Sequence, residues 1–256
     1  MSQAKAEFAW RTARGLVRAR NEDAVAVLPE AGIIVVADGI GGASAGDVAS
    51  STAARIIAER LARQPPSPTQ PQRVEREIEA AIGEANVVVH EMAVDNPSLA
   101  GMGTTVVVGH LGRDHLTYTH VGDSRLYLLR DDTLRQLTSD HSFIQEVVDQ
   151  GFFATLQDAR AYGINENVLT RAVGSTTRVV VATDVIELHA GDLYLFCTDG
   201  LTNAVPPLDL CRVLADGDET LAARADELVR LAYAVGGIDN ITLALVRVDA
   251  LGGDEA

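Results

Sequence analysis

Apolar segments of this chain run repeatedly into an aspartate that is followed by a small or polar residue. Three segments end in this way at Asp38, Asp123 and Asp199, and Asp239 stands directly before a fourth apolar segment. A single aspartate of this kind usually forms a turn in which its carboxylate bonds the local backbone. Because apolar strands bring their ends to common edges of a sheet, we expect the four carboxylates to lie close together. Position along the strands therefore constrains both the fold and the chemistry.

Such a group of carboxylates needs a positive partner. Glu22 and Asp23 open an early apolar segment and add two more acidic side chains. Carboxylates that are held close together repel one another, at a cost of roughly several kcal/mol, unless a cation lies between them. Oxygen ligands without a histidine or cysteine cluster favour Mg²⁺ or Mn²⁺ over Zn²⁺. Gly39 has no side chain, so its carbonyl can also approach a metal.

One arginine has a clear place in this scheme. Arg18 lies four residues before Glu22. Its guanidinium either forms a plain ion pair or serves as a planar fork for a phosphate group, and the sequence leaves both interpretations open. Two metal ions and an arginine are groups that can together catalyse hydrolysis of a phosphate ester.

Composition bounds the class of protein and its partners. The chain has 256 residues, of which 47% are hydrophobic and 22% charged, as in globular proteins with one large domain or at most two small ones. The net charge of −15 argues against nucleic-acid binding, since phosphates would be repelled. No apolar run is long enough to span a bilayer and no signal peptide is visible, so we expect a cytoplasmic protein. Cys197 and Cys211 make no disulfide framework, and Cys197 is expected to be a buried thiol.

Periodicity predicts an α+β layered domain with sheets inside and helices outside. Helices are predicted over 45–63, 73–94 and 220–235, with an irregular helical segment over 141–161. Proline marks a linker over 64–71. Strands are predicted over 24–28, 33–37, 104–111, 116–121, 125–130, 179–188, 193–197 and 241–248, and their short connections favour antiparallel neighbours.

The order of the motifs resembles one family. The chain is similar to the metal-dependent protein phosphatases of type 2C, in their compact bacterial form. Each motif is weak alone, but together they cover nearly the whole chain. They lie at residues 18–23, 36–42, 103–105, 121–125, 137–142, 168–174, 198–201 and 239–242.

The resemblance implies a fold and a metal site. The fold would be a layered α-β-β-α sandwich with two central, mainly antiparallel sheets flanked by helix pairs, in a single phosphatase domain over 1–256. Asp38 would bridge two tightly bound Mn²⁺ or Mg²⁺ ions, with the Gly39 carbonyl on one ion and Asp199 and Asp239 on the other. Asp123 and Asp199 would hold a third, weaker ion.

The resemblance also implies an activity. A metal-bound hydroxide would attack the phosphorus of phosphoserine or phosphothreonine in proteins, without a covalent phosphoenzyme. Arg18 would hold the substrate phosphate, and Glu22 and Asp23 would act through metal-bound water. Residues 139–167 match a mobile flap that influences substrate choice. The partners would be phosphoproteins, including a bacterial Ser/Thr kinase and its targets, with no nucleic acid and no membrane, and the protein would be a monomer.

Some positions depart from the family pattern without removing a predicted metal ligand. Ala13 stands where relatives usually carry aspartate, Ile40 where they carry methionine or histidine, and Ala43 where histidine is common. Residues 163–166 replace a common His-Pro-x-Arg. With no histidine at position 40, we expect a metal-bound water to protonate the leaving oxygen. Two alternatives stay open: a catalytically silent relative that binds phosphoproteins, and a two-metal hydrolase of small phosphate esters.

Overall fold

Two antiparallel sheets form the centre of the molecule in the computed structural model, which describes residues 3–41, 45–63, 67 and 69–253. The strands are β1 (Lys5–Ala13), β2 (Asp23–Leu28), β3 (Ile33–Ile40), β4 (Gly103–Thr104), β5 (Val106–Leu111), β6 (His115–Val121), β7 (Arg125–Arg130), β8 (Thr133–Gln136), β9 (Ala182–Glu187), β10 (Leu193–Cys197) and β11 (Ile241–Ala250). The helices are α1 (Ala45–Arg63), α2 (Pro71–Asp95), α3 (Phe143–Asp149), α4 (Leu156–Ala161), α5 (Asp199–Thr202), α6 (Pro207–Leu214) and α7 (Leu221–Ala234).

The strand order shows how the chain crosses between the sheets. In the described residues, the first sheet has the order β1-β11-β10-β7-β8, and the second has the order β2-β3-β5-β6-β9 with β4 beside β3. All of these pairs are antiparallel. The tight turn between β6 and β7 carries the chain from the second sheet to the first.

Successive side chains of a single strand point to opposite faces of its sheet and so pack into two different apolar layers. Tyr194 and Phe196 of β10 point into the apolar layer between the two sheets, whereas Leu195 and Cys197 point to the layer under α5, α6 and α7. The same alternation puts Ile34 and Val36 of β3 in the middle layer, with Ile33 and Val35 packed in a third cluster with α1 and α2. Side chains of a strand alternate between its faces, so continuous apolar strands can serve two layers. The predicted α-β-β-α sandwich is confirmed.

The helices flanking the second sheet match the prediction closely. Helix α1 has the predicted bounds, and α2 begins two residues earlier than predicted, at Pro71. Proline is favoured in the first turn because its missing N–H would have no helical partner there. Half of the predicted linker over 64–71 lies outside the described residues, and its last residue, Pro71, is the first residue of α2. No helix in the described ranges has both the length and the apolar character needed to cross a membrane.

Strands β1 and β8 and helices α5 and α6 were not predicted, and several predicted segments have other bounds in the structure. Strands β1 and β8 and helix α6 carry charged residues that hide their apolar faces. Strand β1 lies at a sheet edge, where one face is solvated and the pattern is weak. The irregular helical segment over 141–161 is two short helices, α3 and α4, and β9 begins at Ala182 rather than at 179.

Candidate active site

A cleft of about 520 Å³ opens where the strand ends of both sheets meet. Asp38 comes from β3, Asp123 from the turn between β6 and β7, Asp199 from the start of α5, and Asp239 from the residues before β11. The structure therefore brings together the four carboxylates that the sequence placed after or before apolar segments. The cleft is lined by Arg18, Glu22, Asp38, Gly39, Ile40, Gly41, Thr105, Asp123, Asn167, Leu169, Ala172, Asp199, Asp239 and Asn240.

Asp23 is the one predicted site residue that does not line the cleft wall. It lies directly opposite Asp38 in the register of β2 and β3. Like charges in this cross-strand position destabilise a sheet. The hydroxyl Oγ1 of Thr198 donates a 2.9 Å hydrogen bond to Asp23 Oδ2, while the buried Oδ1 has no hydrogen-bond partner. Burial raises the pKa of Asp23 to about 7, even though the hydrogen bonds to this carboxylate lower it.

The pKa values of Asp38, Asp123 and Asp199 are raised as well. Each keeps some surface open to the cleft while protein atoms surround the rest. Burial, followed by repulsion from Asp23, Asp199 and Asp123, raises the pKa of Asp38 well above its ordinary value. Burial also raises the pKa of Asp123 to about 7, and burial together with Asp239 raises the pKa of Asp199. The shifts show that negative charge is poorly compensated by the protein alone.

The donor set fits a hard divalent cation. The cleft offers carboxylate oxygens and backbone carbonyls, and the buried Oδ1 of Asp23 behind it has no hydrogen-bond partner. Carboxylates and carbonyls are the ligands that Mg²⁺ and Mn²⁺ prefer. Gly39 packs so tightly that a Cβ there would collide with the carbonyl of Gly46 at the start of α1, so this position at the cleft accepts only glycine.

The acidic side chains are not yet arranged around one metal position. In the part of the chain that the structure describes, no three His, Cys, Asp or Glu side chains already form a metal site. The carboxylates stand around a cleft rather than around one point, as mutually repelling groups do. The assignment of a metal centre therefore rests on donor chemistry and unsatisfied charge.

Arg18 is paired in this structure. Its Nη2 lies 2.7 Å from Asp239 Oδ2, and its Nε donates to the carbonyl of Ile238 at 3.1 Å. The guanidinium remains 47% exposed at the cleft wall. The ion-pair interpretation from the sequence is thus observed, and the same guanidinium is placed where a phosphate in the cleft could reach it.

Two residues that hold the site together were present in the motifs but were given no role. Thr105 bonds both backbone groups of Asp38: its Oγ1 accepts from Asp38 N at 3.0 Å, and its own N–H donates to Asp38 O at 2.9 Å. Its hydroxyl also bonds the hydroxyl of Ser124 at 2.6 Å, which links Asp38 to the turn that carries Asp123. The motif over 103–105, directly before an apolar strand, was the available signal, but it did not specify these bonds.

Asn240 fixes the backbone of the loop that carries Glu22. Its Oδ1 accepts from the N–H of Glu22 at 2.9 Å, and its Nδ2 donates to the carbonyl of Arg20 at 2.9 Å. The loop that carries Glu22 is thereby tied to the strand that follows Asp239. This amide explains why asparagine follows aspartate at this position.

Comparisons with known proteins agree on one family. The family model described as protein phosphatase 2C matches residues 16–230. The chain is 38% identical over 244 residues to the serine/threonine phosphatase stp of Listeria innocua, covering 94% of each. The chain belongs to the protein phosphatase 2C family.

Solved structures show the same fold in this family. The crystal structure of the Mycobacterium tuberculosis serine/threonine phosphatase PstP/Ppp superposes with a TM-score of 0.83 at 33% identity, covering 97% of this chain and 99% of that one. The catalytic domain of PstP in complex with two manganese ions gives a TM-score of 0.81 at 33% identity, covering 94% and 97%. As a member of the protein phosphatase 2C family, this chain is a serine/threonine protein phosphatase, and the family is metal-dependent.

The segment over 139–167 borders the cleft of this phosphatase. Asn167 contributes to the cleft wall, and a smaller adjoining cavity lies between this segment and the carboxylates Asp123 and Asp199. Glu166 pairs with Arg160 at 2.6 Å, so its charge is compensated within the segment. Position 43 lies outside the described residues.

Proposed function

We propose that this phosphatase works with two divalent cations, Mn²⁺ or Mg²⁺, at the ends of its two sheets. Asp38 and the Gly39 carbonyl would hold one ion, and Asp38, Asp199 and Asp239 the other. Asp123 and Asp199 would hold a third, weaker ion. The observation that carries the proposal is the group of partly buried carboxylates whose pKa values are raised by burial and by each other. The relative solved with two manganese ions supports it.

The cations would supply two effects when bound: they would lower the pKa of a water molecule and neutralise negative charge on the phosphate. Arg18 would bind the phosphate through N–H donors that lie in the plane of its guanidinium. Since Arg18 pairs with Asp239 in this structure, phosphate binding would exchange one anionic partner for another. Asp239 would then be free to serve the cation.

Glu22 and Asp23 would position water. The backbone of Glu22 is fixed by Asn240 and by the N–H of Gly39, which donates to Glu22 O at 3.0 Å. Asp23 is oriented by Thr198 through Oδ2, so its unpartnered Oδ1 would accept a hydrogen bond from water in the acidic pocket. Both carboxylates would therefore orient water.

Direct attack by water fits the lining of the cleft. Among the described residues that line it, none is cysteine, histidine or serine, and the hydroxyl of Thr105 is bonded to Ser124. The described wall thus offers carboxylates as its only other nucleophiles, and the bound cations would occupy those carboxylates, so a covalent phosphoenzyme is not expected. Ile40 also lines the cleft, where it can provide no proton, so water would protonate the leaving oxygen of serine or threonine.

The substrates would be proteins phosphorylated by a Ser/Thr kinase. A particular kinase partner, a monomeric state and a cytoplasmic location stay predictions. A silent phosphoprotein-binding relative would have lost a ligand carboxylate, and Asp38, Asp123, Asp199 and Asp239 are all present.

The test is phosphate release from a phosphothreonine peptide and from p-nitrophenyl phosphate, first with Mn²⁺ and then in excess EDTA. We expect release from both substrates with Mn²⁺ and loss of both activities in EDTA. Full activity after prolonged dialysis against EDTA would overturn the metal mechanism. Binding of the phosphopeptide without release, in saturating Mn²⁺ or Mg²⁺, would favour the silent relative.

A further inference from the structure

Exposed apolar side chains lie beside the phosphate-binding end of the cleft. Leu16, Val17 and Ile238 are 61%, 68% and 66% exposed, respectively. Val17 directly precedes Arg18 and Ile238 directly precedes Asp239, so both adjoin a residue of the cleft wall, and Leu16 stands one residue further away. We refer to these three side chains as the rim patch.

The rim patch stands on two loops that are held together. The N–H of Leu16 donates to the carbonyl of Gly237 at 2.7 Å, and Arg18 Nε donates to the carbonyl of Ile238 at 3.1 Å. Gly15 fits so closely under the second loop that a Cβ there would collide with the carbonyl of Asp239. The hydroxyl of Tyr233 adds a bond to the carbonyl of Arg14 at 2.8 Å. These contacts fix the backbone that carries the three apolar side chains, so the exposed position of the patch is a property of the fold.

The charge around the rim patch differs from that of the whole molecule. The net charge of the chain is −15, yet the segment over 14–20 carries three arginines, at positions 14, 18 and 20, and no acidic residue. Arg18 and Arg20 pair with Asp239 and Asp47 outside the segment, but their side chains stay 47% and 59% exposed. A basic and apolar edge beside an acidic, cation-binding cleft suits a ligand that is anionic at one point and apolar nearby. A phosphorylated segment of a protein with a large apolar side chain close to its phosphoresidue has this chemistry.

We infer that the rim patch docks an apolar side chain of the phosphoprotein substrate, close in sequence to the phosphoserine or phosphothreonine in the cleft. The inference rests on the proposed function, since the phosphate must sit between Arg18 and the carboxylates for its neighbours to reach the patch. A protein substrate must cross the mouth of the cleft on some side, and this side joins the phosphate end without a break. Burial of exposed apolar surface on both partners then stabilises the complex.

The contact acts before the chemical step. A remote apolar contact is made equally in the bound substrate and in the transition state, so its loss raises KM and leaves kcat nearly unchanged. p-Nitrophenyl phosphate has no flanking residues and cannot use the patch. Preference among peptides is therefore the property that the rim patch should control.

The experiment compares phosphothreonine peptides that carry either leucine or serine at successive positions on both sides of the phosphothreonine. With Mn²⁺, the wild type should prefer leucine at one or two of these positions by about tenfold in kcat/KM, the scale of a partly buried apolar contact. The double variant Val17→Ser/Ile238→Ser should lose that preference through KM. Leu208→Ser is the matched control, because Leu208 is 82% exposed on α6 and does not line the cleft, and it should keep the preference.

The outcomes separate the two claims. If the wild type hydrolyses leucine and serine peptides equally well, or if the double variant keeps the preference, the rim patch is not a docking surface and the proposed function is untouched. If the wild type hydrolyses neither peptide in Mn²⁺, the proposed function fails and the inference falls with it. Circular dichroism spectra and melting temperatures of the three proteins would establish that the variants are folded.

Discussion

At the scale of single residues, Arg18 has two competing anionic partners. It pairs with Asp239 at 2.7 Å in this structure, and the proposed function gives it a phosphate instead. Guanidinium and carboxylate are both partly exposed, and an ion pair of this kind contributes little to stability. Loss of the Arg18 side chain should therefore lower kcat/KM and leave the free energy of unfolding nearly unchanged.

Arg18→Ala should lower kcat/KM on a phosphothreonine peptide by roughly 10–200-fold. A charge-assisted contact of this type is worth about 1.5–3 kcal/mol. Arg18→Lys keeps the charge but not the planar fork, so it should recover part of the loss. Arg55→Ala, an exposed arginine on α1, is the control. Kinetics of Arg18→Ala equal to those of the wild type would leave Arg18 as an ion-pair partner alone.

Asp123 gives a second prediction at this scale. Its carboxylate sits in the turn between the sheets, and its proposed cation is separate from the pair at Asp38. Asp123→Asn should leave two Mn²⁺ ions bound by calorimetry but cut turnover of a phosphopeptide by about 10²–10⁴, the usual size of a lost acid–base contribution. The loss should be smaller on p-nitrophenyl phosphate, whose leaving group needs little protonation. If turnover falls equally on both substrates, or if the variant no longer binds two Mn²⁺ ions, the role of this turn is structural.

At the scale of elements, the turn that carries Asp123 is clamped by the start of the flap segment. The N–H of His141 donates to Gly122 O at 3.0 Å, and its ring Nδ1 accepts from Gly122 N at 3.1 Å. The His141 ring stacks on His120, with centroids 4.5 Å apart. Burial, with smaller effects of His120 and Arg171, lowers the pKa of His141 to about 3, so the ring is neutral and Nδ1 stays an acceptor at neutral pH.

Removal of this clamp should misplace Asp123 without removing it. His141→Ala should reduce phosphopeptide turnover by up to about 10²-fold, because small displacements of catalytic groups have effects of that size. His141→Asn can offer a carbonyl oxygen to the same N–H and should restore part of the activity. Melting temperatures check that both variants fold. Equal, full loss in two stably folded variants would show that the imidazole acts in another way.

The elements also show what the sequence could and could not predict. The bounds of α1 and the strand β7 followed from periodicity, because their apolar patterns are local. The convergence of Asp38, Asp123, Asp199 and Asp239 followed from the rule that strand ends share sheet edges. The pairing of Asp23 with Asp38 did not follow, because it depends on the exact register of two neighbouring strands. The bonds of Thr105 did not follow either, because they join residues that are 67 positions apart. Edge strand β1 was missed because its solvated face breaks the apolar pattern.

At the scale of the whole molecule, the acidic cleft lies across the junction of the two sheets. Asp23 and Asp38 belong to the second sheet, whereas Asp199 and Asp239 stand at the ends of strands of the first. Repulsion among these groups acts directly against the packing of one sheet on the other. Cations between them would replace that repulsion by shared attraction, so the metal centre should contribute to the stability of the sandwich as well as to catalysis.

The last prediction measures that contribution. At a free Mn²⁺ concentration of about 100 times the dissociation constant, binding to the folded state alone should stabilise it by about 2.7 kcal/mol. For a domain of this size, that corresponds to a rise in melting temperature of roughly 5–11 °C. Asp38→Asn removes a carboxylate charge that both ions share, so it should abolish most of the rise and also turnover, while its metal-free melting temperature should not fall, because one source of repulsion is gone. Glu59→Gln, on the exposed surface of α1, should keep the full rise. The prediction is wrong if Mn²⁺ does not change the melting temperature of the wild type, or if the Asp38→Asn variant shows the full rise. Either result would mean that cations at Asp38 do not stabilise the packing of the two sheets.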